Sequence, residues 1–195
     1  MQKNYIYLIT FAYAFSTFAQ GILMPIYAFF VQKIGGGILE TSWAIATYSI
    51  ITGIGTILIH RTTMSHTYSK HFLWIGWFFW LLSVGVYFLM QNIFMLYVSQ
   101  LLNGLGTAMS EPIYDAEFSR ITAHNPSSGW AFFEGVTSIF SGIAAIAGGF
   151  IATRYGFDVL IYCMMAVAAS SFFLIVYYTR NNFNNTLTVK PETPE

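Results

Sequence analysis

Two carboxylates in this sequence sit where apolar residues surround them. Glu111 stands beside Pro112 in QLLNGLGTAMSEPIYDAE, residues 100–117, and Glu134 lies inside a second apolar stretch. At helical spacing, Gln100, Asn103, Thr107, Glu111 and Tyr114 share one face of the first of these segments. A charged carboxylate at the centre of a bilayer is disfavoured by roughly 3 kcal/mol on insertion scales, so it needs a partner, water or a proton. A group in that position can exchange a proton or cation, or hold a positively charged solute. The competing reading is structural. Glu111 begins a cluster with Asp115, Glu117 and Arg120, and a bond to Arg120 would occupy it.

The elements that must position these residues follow from composition. Of 195 residues, 56% are hydrophobic, 19% aromatic and only 8% charged, against roughly 25% charged in a soluble domain. The charged positions divide the chain into six apolar spans, at about 5–31, 42–59, 72–90, 93–118, 130–152 and 158–179. Each is close to or above the roughly 18–20 residues a helix needs to cross a bilayer. The expected fold is an all-α membrane protein with one domain over residues 1–180 and a polar tail over 181–195. The formal net charge is zero, so no long-range field favours nucleic acid. Cys163 is the single cysteine, and no Cys/His spacing suggests a metal or cofactor. His60, His66, His71 and His124 all fall in loops, and no Gly-x-Ser-x-Gly or paired intramembrane aspartates occur. An intramembrane enzyme is therefore not expected.

Orientation is read from basic residues in short loops. Lys3, Arg61, Lys70, Arg120, Arg180 and Lys190 fall on one side, against Lys33 and Arg154 on the other. That bias predicts both termini in the cytoplasm and a multi-pass protein of the plasma (inner) membrane. The apolar run through Ser16-Thr17-Phe18-Ala19-Gln20 continues to Val31, too long for a cleaved signal peptide.

The two halves match at a constant offset of 87 residues: Pro25-Ile26-Tyr27 with Pro112-Ile113-Tyr114, Trp43-Ala44 with Trp130-Ala131, and Gly55 with Gly142. Three spans separate the copies, so they run in opposite directions. This predicts a 3+3 inverted repeat of the kind found in secondary transporters. The offset carries the polar face of the fourth span onto Tyr13, Ser16, Gln20, Met24 and Tyr27 of the first. Both stripes should face protein or water rather than lipid tails. In the fifth span, Ser138, Ser141, Gly142, Ala145, Gly148 and Gly149 offer small surfaces for close helix approach. In the third, Trp74, Trp77, Phe78, Phe79 and Trp80 cover all sides, which suits a lipid-facing helix.

Together these features resemble one half of a major facilitator superfamily transporter. QLLNGLGTA resembles a family motif that carries an arginine where Gln100 stands, with Asn103, Gly104 and Gly106 fitting. Gly21 to Pro25 resembles the family's Gly-x-x-x-Pro, and GGFIATRYGF its Gly-Gly helix end. Departures are the loop IHRTTMSHTYSK, which lacks the Gly-x-Leu-Ala-Asp-Arg-x-Gly pattern, and Ala144-Ala145 in place of Gly-Pro. The resemblance implies a parallel homodimer, or a pairing with a different partner chain, whose central cavity is lined by the first and fourth spans, with the second and fifth meeting the other half and the third and sixth facing lipid. It further implies secondary active transport of a small molecule or ion by alternating access, with proton or cation coupling. The expected cavity or coupling residues are Glu111, Glu134, Gln100, Asn103, Thr107, Gln20, Ser16, Tyr13 and Tyr114. With no Lys or Arg inside any span, a cationic, zwitterionic or neutral amphipathic solute fits better than a strong anion. The alternative function is a non-transporting membrane subunit that assists a partner.

Overall fold

The computed structural model describes residues 2–62 and 69–186, with side chains over 5–59 and 70–180. Among these residues the chain is helical apart from short turns. The first span comprises α1 (Gln2–Leu23), a 3₁₀ turn (Met24–Ile26) and α2 (Tyr27–Lys33). Then follow α3 (Ile38–Thr62), α4 (Ser69–Val86) continuing through a 3₁₀ turn, α5 (Ile93–Ile121), α6 (Pro126–Tyr155) and α7 (Phe157–Thr186). Five of the six spans are long and apolar enough to cross a membrane. The exception by composition is α5, whose 29 residues are diluted by Gln100, Asn103, Thr107 and Glu111. The tail expected from residue 181 is helical to Thr186; the rest of it lies outside the described residues, as does the loop from 63 to 68.

The ends of these helices follow from local chemistry. Asn92 and Asn125 cap α5 and α6 by accepting from the amides of Met95 and Ser128 at 3.1 and 3.2 Å, and Pro126 opens α6 where no amide is needed. Gly156, at φ +86°, turns α6 directly into α7, a conformation that costs glycine nothing. Pro25 interrupts α1 with the 3₁₀ turn. Its counterpart Pro112 lies inside an unbroken α5.

Packing divides the bundle into two groups. α5 lies against α4 and α3, while α1 lies against α6 and α7. The groups meet where α4 touches α7 and, sparingly, where α1 approaches α5. Small residues bring the helices together, as packing in lipid requires. A Cβ on Gly148 would stand 1.9 Å from the Ile22 carbonyl oxygen, and one on Gly21 would stand 2.9 Å from Ala144 Cβ. On the other side, a Cβ on Gly55 would stand 2.8 Å from Ala108 Cβ. Gly76 and Gly106 pack backbone to backbone, so that a Cβ on either would come within 2.7 Å of the other's carbonyl oxygen. Gly142 and Gly149 of the expected small face meet nothing within 4 Å; of that face Ser141 and Gly148 approach α1, together with the neighbouring Ala144.

Polar groups inside the bundle are bonded across helices. Ser171 donates to the Ala12 carbonyl at 2.7 Å, Tyr114 to that of Ile9 at 3.0 Å, and Trp74 Nε1 to Thr179 Oγ1. Glu117, fully buried, accepts from the Tyr178 hydroxyl at 3.2 Å and faces Arg120 at 3.9 Å. Arg120 thus pairs with Glu117, and Glu111 is left for other contacts. Removing the hydroxyl in Tyr178→Phe deprives a buried carboxylate of a donor. This should lower stability by about 1–3 kcal/mol, read as a lower thermal midpoint in mild detergent; an unchanged midpoint would show that the bond contributes nothing.

A polar cleft between the first and fourth spans

The two polar stripes face each other where α1 and α5 draw apart. Two cavities occupy the gap, of about 80 and 210 Å³. Tyr13, Ser16, Gln20, Thr107, Glu111 and Tyr114 line the smaller one, toward the Arg120 end of the bundle. Gln20, Met24, Tyr27, Gln100 and Asn103 line the larger, toward the Lys33 end. Gln20, Tyr48 and Trp80 contribute to both, so the cavities adjoin.

The geometry of each end is specific. Tyr13 donates its hydroxyl to Glu111 Oε1 at 3.2 Å, joining α1 to α5. Its ring lies 4.7 Å from that of Tyr114. Below them, Tyr114, Phe118, Trp130 and Phe133 form a continuous aromatic cluster that fills the Arg120 end. At the opposite end Gln100 Nε2 donates to the Tyr27 hydroxyl at 2.6 Å. Gln100 therefore supplies a neutral carboxamide where the resembling motif would supply a fixed positive charge.

Of the nine expected residues, eight line the cleft and Glu134 does not. It lies exposed on α6, outside both cavities. Glu134 and Glu111 nonetheless both lie within electrostatic reach of Asp115, so the three carboxylates gather at one level of the bundle. An exposed carboxylate cannot face lipid tails without the cost already described, so this part of α6 needs water or protein against it.

Trp77 and Trp80 correct the reading of the third span. Both are only 5% exposed and turn into the cleft, while Phe78, 52% exposed, faces outward. The Gly76–Gly106 contact explains this. It presses α4 onto α5 at one point, and residues one and four positions on are swung to the adjoining gap. An aromatic helix without a periodic face gives no sign of such a rotation. Tyr48, Ser110 and Tyr87 also line the cleft and carried no distinguishing signal. Among the described residues no group of three His, Cys, Asp or Glu side chains is arranged to hold a metal ion.

A bundle of apolar helices around a polar cleft is the architecture of a multi-pass membrane protein. The chain belongs to the major facilitator superfamily, whose family model it matches over residues 9–194. No individual characterised protein gives a significant match.

Proposed function

We propose that this chain is a half-size secondary active transporter that moves a small solute by alternating access, as a parallel homodimer coupled to protons or cations. The observation that carries the reading is the convergence of both polar stripes, ten side chains from Tyr13 to Tyr27 and from Gln100 to Tyr114, on one cleft. Tyr13–Glu111 and Gln100–Tyr27 bond across the gap, and all ten side chains also border open volume, which a purely structural role would not need.

An inverted repeat is supported by the packing. Exchanging the first span with the fourth, the second with the fifth and the third with the sixth interconverts the α4–α5 and α1–α7 contacts and the α1–α6 and α3–α5 contacts and keeps the α4–α7 contact, while the smaller α6–α7 contact has no comparable α3–α4 counterpart. The offset of 87 carries the Tyr13–Tyr114 pair onto Gln100–Tyr27, and Gly21 at its α6 crossing onto Ala108 at its α3 crossing. Within that frame the two ends differ. Trp130 is packed into the aromatic cluster, whereas its counterpart Trp43 is 59% exposed. With the Arg120 end placed in the cytoplasm by the basic-residue bias, this conformation is closed on the cytoplasmic side.

A second copy is the reading of α3 and α6. Their outer faces carry Ile54, Ile57, Ile143 and Ile146 together with the exposed Glu134 and the uncovered Gly142. That mixture suits a neighbouring helix and an aqueous passage better than lipid. In a cysteine-free Cys163→Ser background, Ile54→Cys and Ile146→Cys together should cross-link into dimers, and should fail to do so if no second copy docks there. Alternating access itself is tested with Thr107→Cys and a membrane-impermeant maleimide on sealed vesicles. Labelling from each face in separate experiments is expected; labelling from one face only, or neither, would reject the mechanism.

A further inference from the structure

Five aromatic residues share a cavity with Glu111, the single charged side chain that lines the cleft. Trp77 and Trp80, with ring centroids 5.6 Å apart, come from α4; Tyr13 and Tyr114 from α1 and α5; Tyr48 from α3. No Lys, Arg or His lines either cavity. The faces of tryptophan and tyrosine carry negative potential and attract cations, and Glu111 adds a full negative charge when ionised. We infer that this end of the cleft is an aromatic box for the ammonium head of a small organic amine, with the amine's apolar body lying in the adjoining cavity.

Three features select that class of ligand. First, a bare metal cation prefers six or more oxygens, whereas this pocket presents one carboxylate, a few hydroxyls and a wall of rings. Second, the volumes are graded: about 80 Å³ around Glu111 suits a head group, and the adjoining 210 Å³ suits a compact body. Both fall below the roughly 300–1,000 Å³ of pockets that enclose drug-sized molecules. Third, the larger cavity is walled by Leu23, Ile45, Val84 and Met164, apolar groups suited to a hydrocarbon or aromatic body. Asn103 Oδ1, buried and without a hydrogen-bond partner among the described residues, offers an acceptor along the way. The box requires only one chain, so a dimer would hold it twice.

The assignment rests on the transporter reading for its purpose but is tested by binding alone. Full-length protein in nanodiscs of neutral lipid is titrated calorimetrically with 2-phenylethylamine, 2-phenylethanol and phenylacetate, matched in shape but cationic, neutral and anionic. The amine should bind at least about tenfold more tightly than the other two. Glu111→Gln should remove that preference while leaving the alcohol unaffected. Trp80→Leu should weaken the amine by a similar factor, and Trp80→Phe should restore most of it, which separates a ring face from mere filling of space. Equal binding of amine and alcohol, no saturable amine binding up to about 10 mM, or an amine preference that survives Glu111→Gln in folded protein would overturn the box. Proteoliposome flux separates the two readings. An amine that binds in the expected pattern but is never moved would sink the transport proposal and leave the box standing. Glu111-dependent flux of a neutral or anionic solute that the amine does not inhibit would do the reverse.

Discussion

Glutamine at position 111 is expected to leave the bundle folded and to reduce pH-driven solute flux by at least about tenfold. The substitution keeps the side chain's length and still gives the Tyr13 hydroxyl an oxygen to donate to, so the α1–α5 contact at 3.2 Å survives. What disappears is the ability to hold and release a proton or to balance a cation. Glu111 lies ten residues before the end of α5, about 15 Å along the helix axis, so its proton would travel through the cleft rather than from the interface. The check is solute-dependent acidification in liposomes loaded with a pH-sensitive dye. The same protein in a thermal melt should unfold within a few degrees of the parent. Undiminished pH-dependent flux in the variant would remove Glu111 from the coupling proposal.

The largest structural effect is expected from a single methyl group. At Gly148, even alanine would place its Cβ 1.9 Å from the Ile22 carbonyl oxygen, and backbone cannot step aside as a flexible side chain can. α1 and α6 must separate along their whole crossing, at a cost of about 3 kcal/mol or more. Gly135→Ala is the control on the same helix, because its Cβ meets nothing within 4 Å. Both variants gain the same helix propensity, so the difference between their detergent-unfolding midpoints isolates the crossing. Equal midpoints would show that α1 and α6 do not meet as described.

Much of this architecture is legible in the sequence. Six apolar runs bounded by charge announce six spans, because lipid leaves the backbone no alternative to helix. The stripes were legible because polar residues recurring at helical spacing in an apolar segment are costly unless sheltered, and all ten expected side chains border the cleft. Trp77 and Trp80 were not legible. Bulk on every side of a helix leaves no periodicity, and what turns them inward is a glycine contact between residues 30 positions apart. The place of Glu134 is not legible for a related reason: its depth follows from counting along the chain, but its azimuth, outside the cleft of a single chain, depends on which side of α6 the close crossing with α1 selects. Arg120 could have reached Glu111 or Glu117 from helical spacing alone, and only the packing of Tyr178 shows why it takes the latter.

The sparse approach of α1 to α5 has a mechanical meaning. Glycine and alanine crossings fasten α5 to α3 and α4, and α1 to α6, more closely than α1 approaches α5. The seam between the two groups coincides with the cleft, and its firm edge is the α4–α7 contact, where Trp74 bonds to Thr179. Any rocking of this bundle would therefore pivot about that edge and widen or pinch the space beside Glu111, with no helix having to unwind.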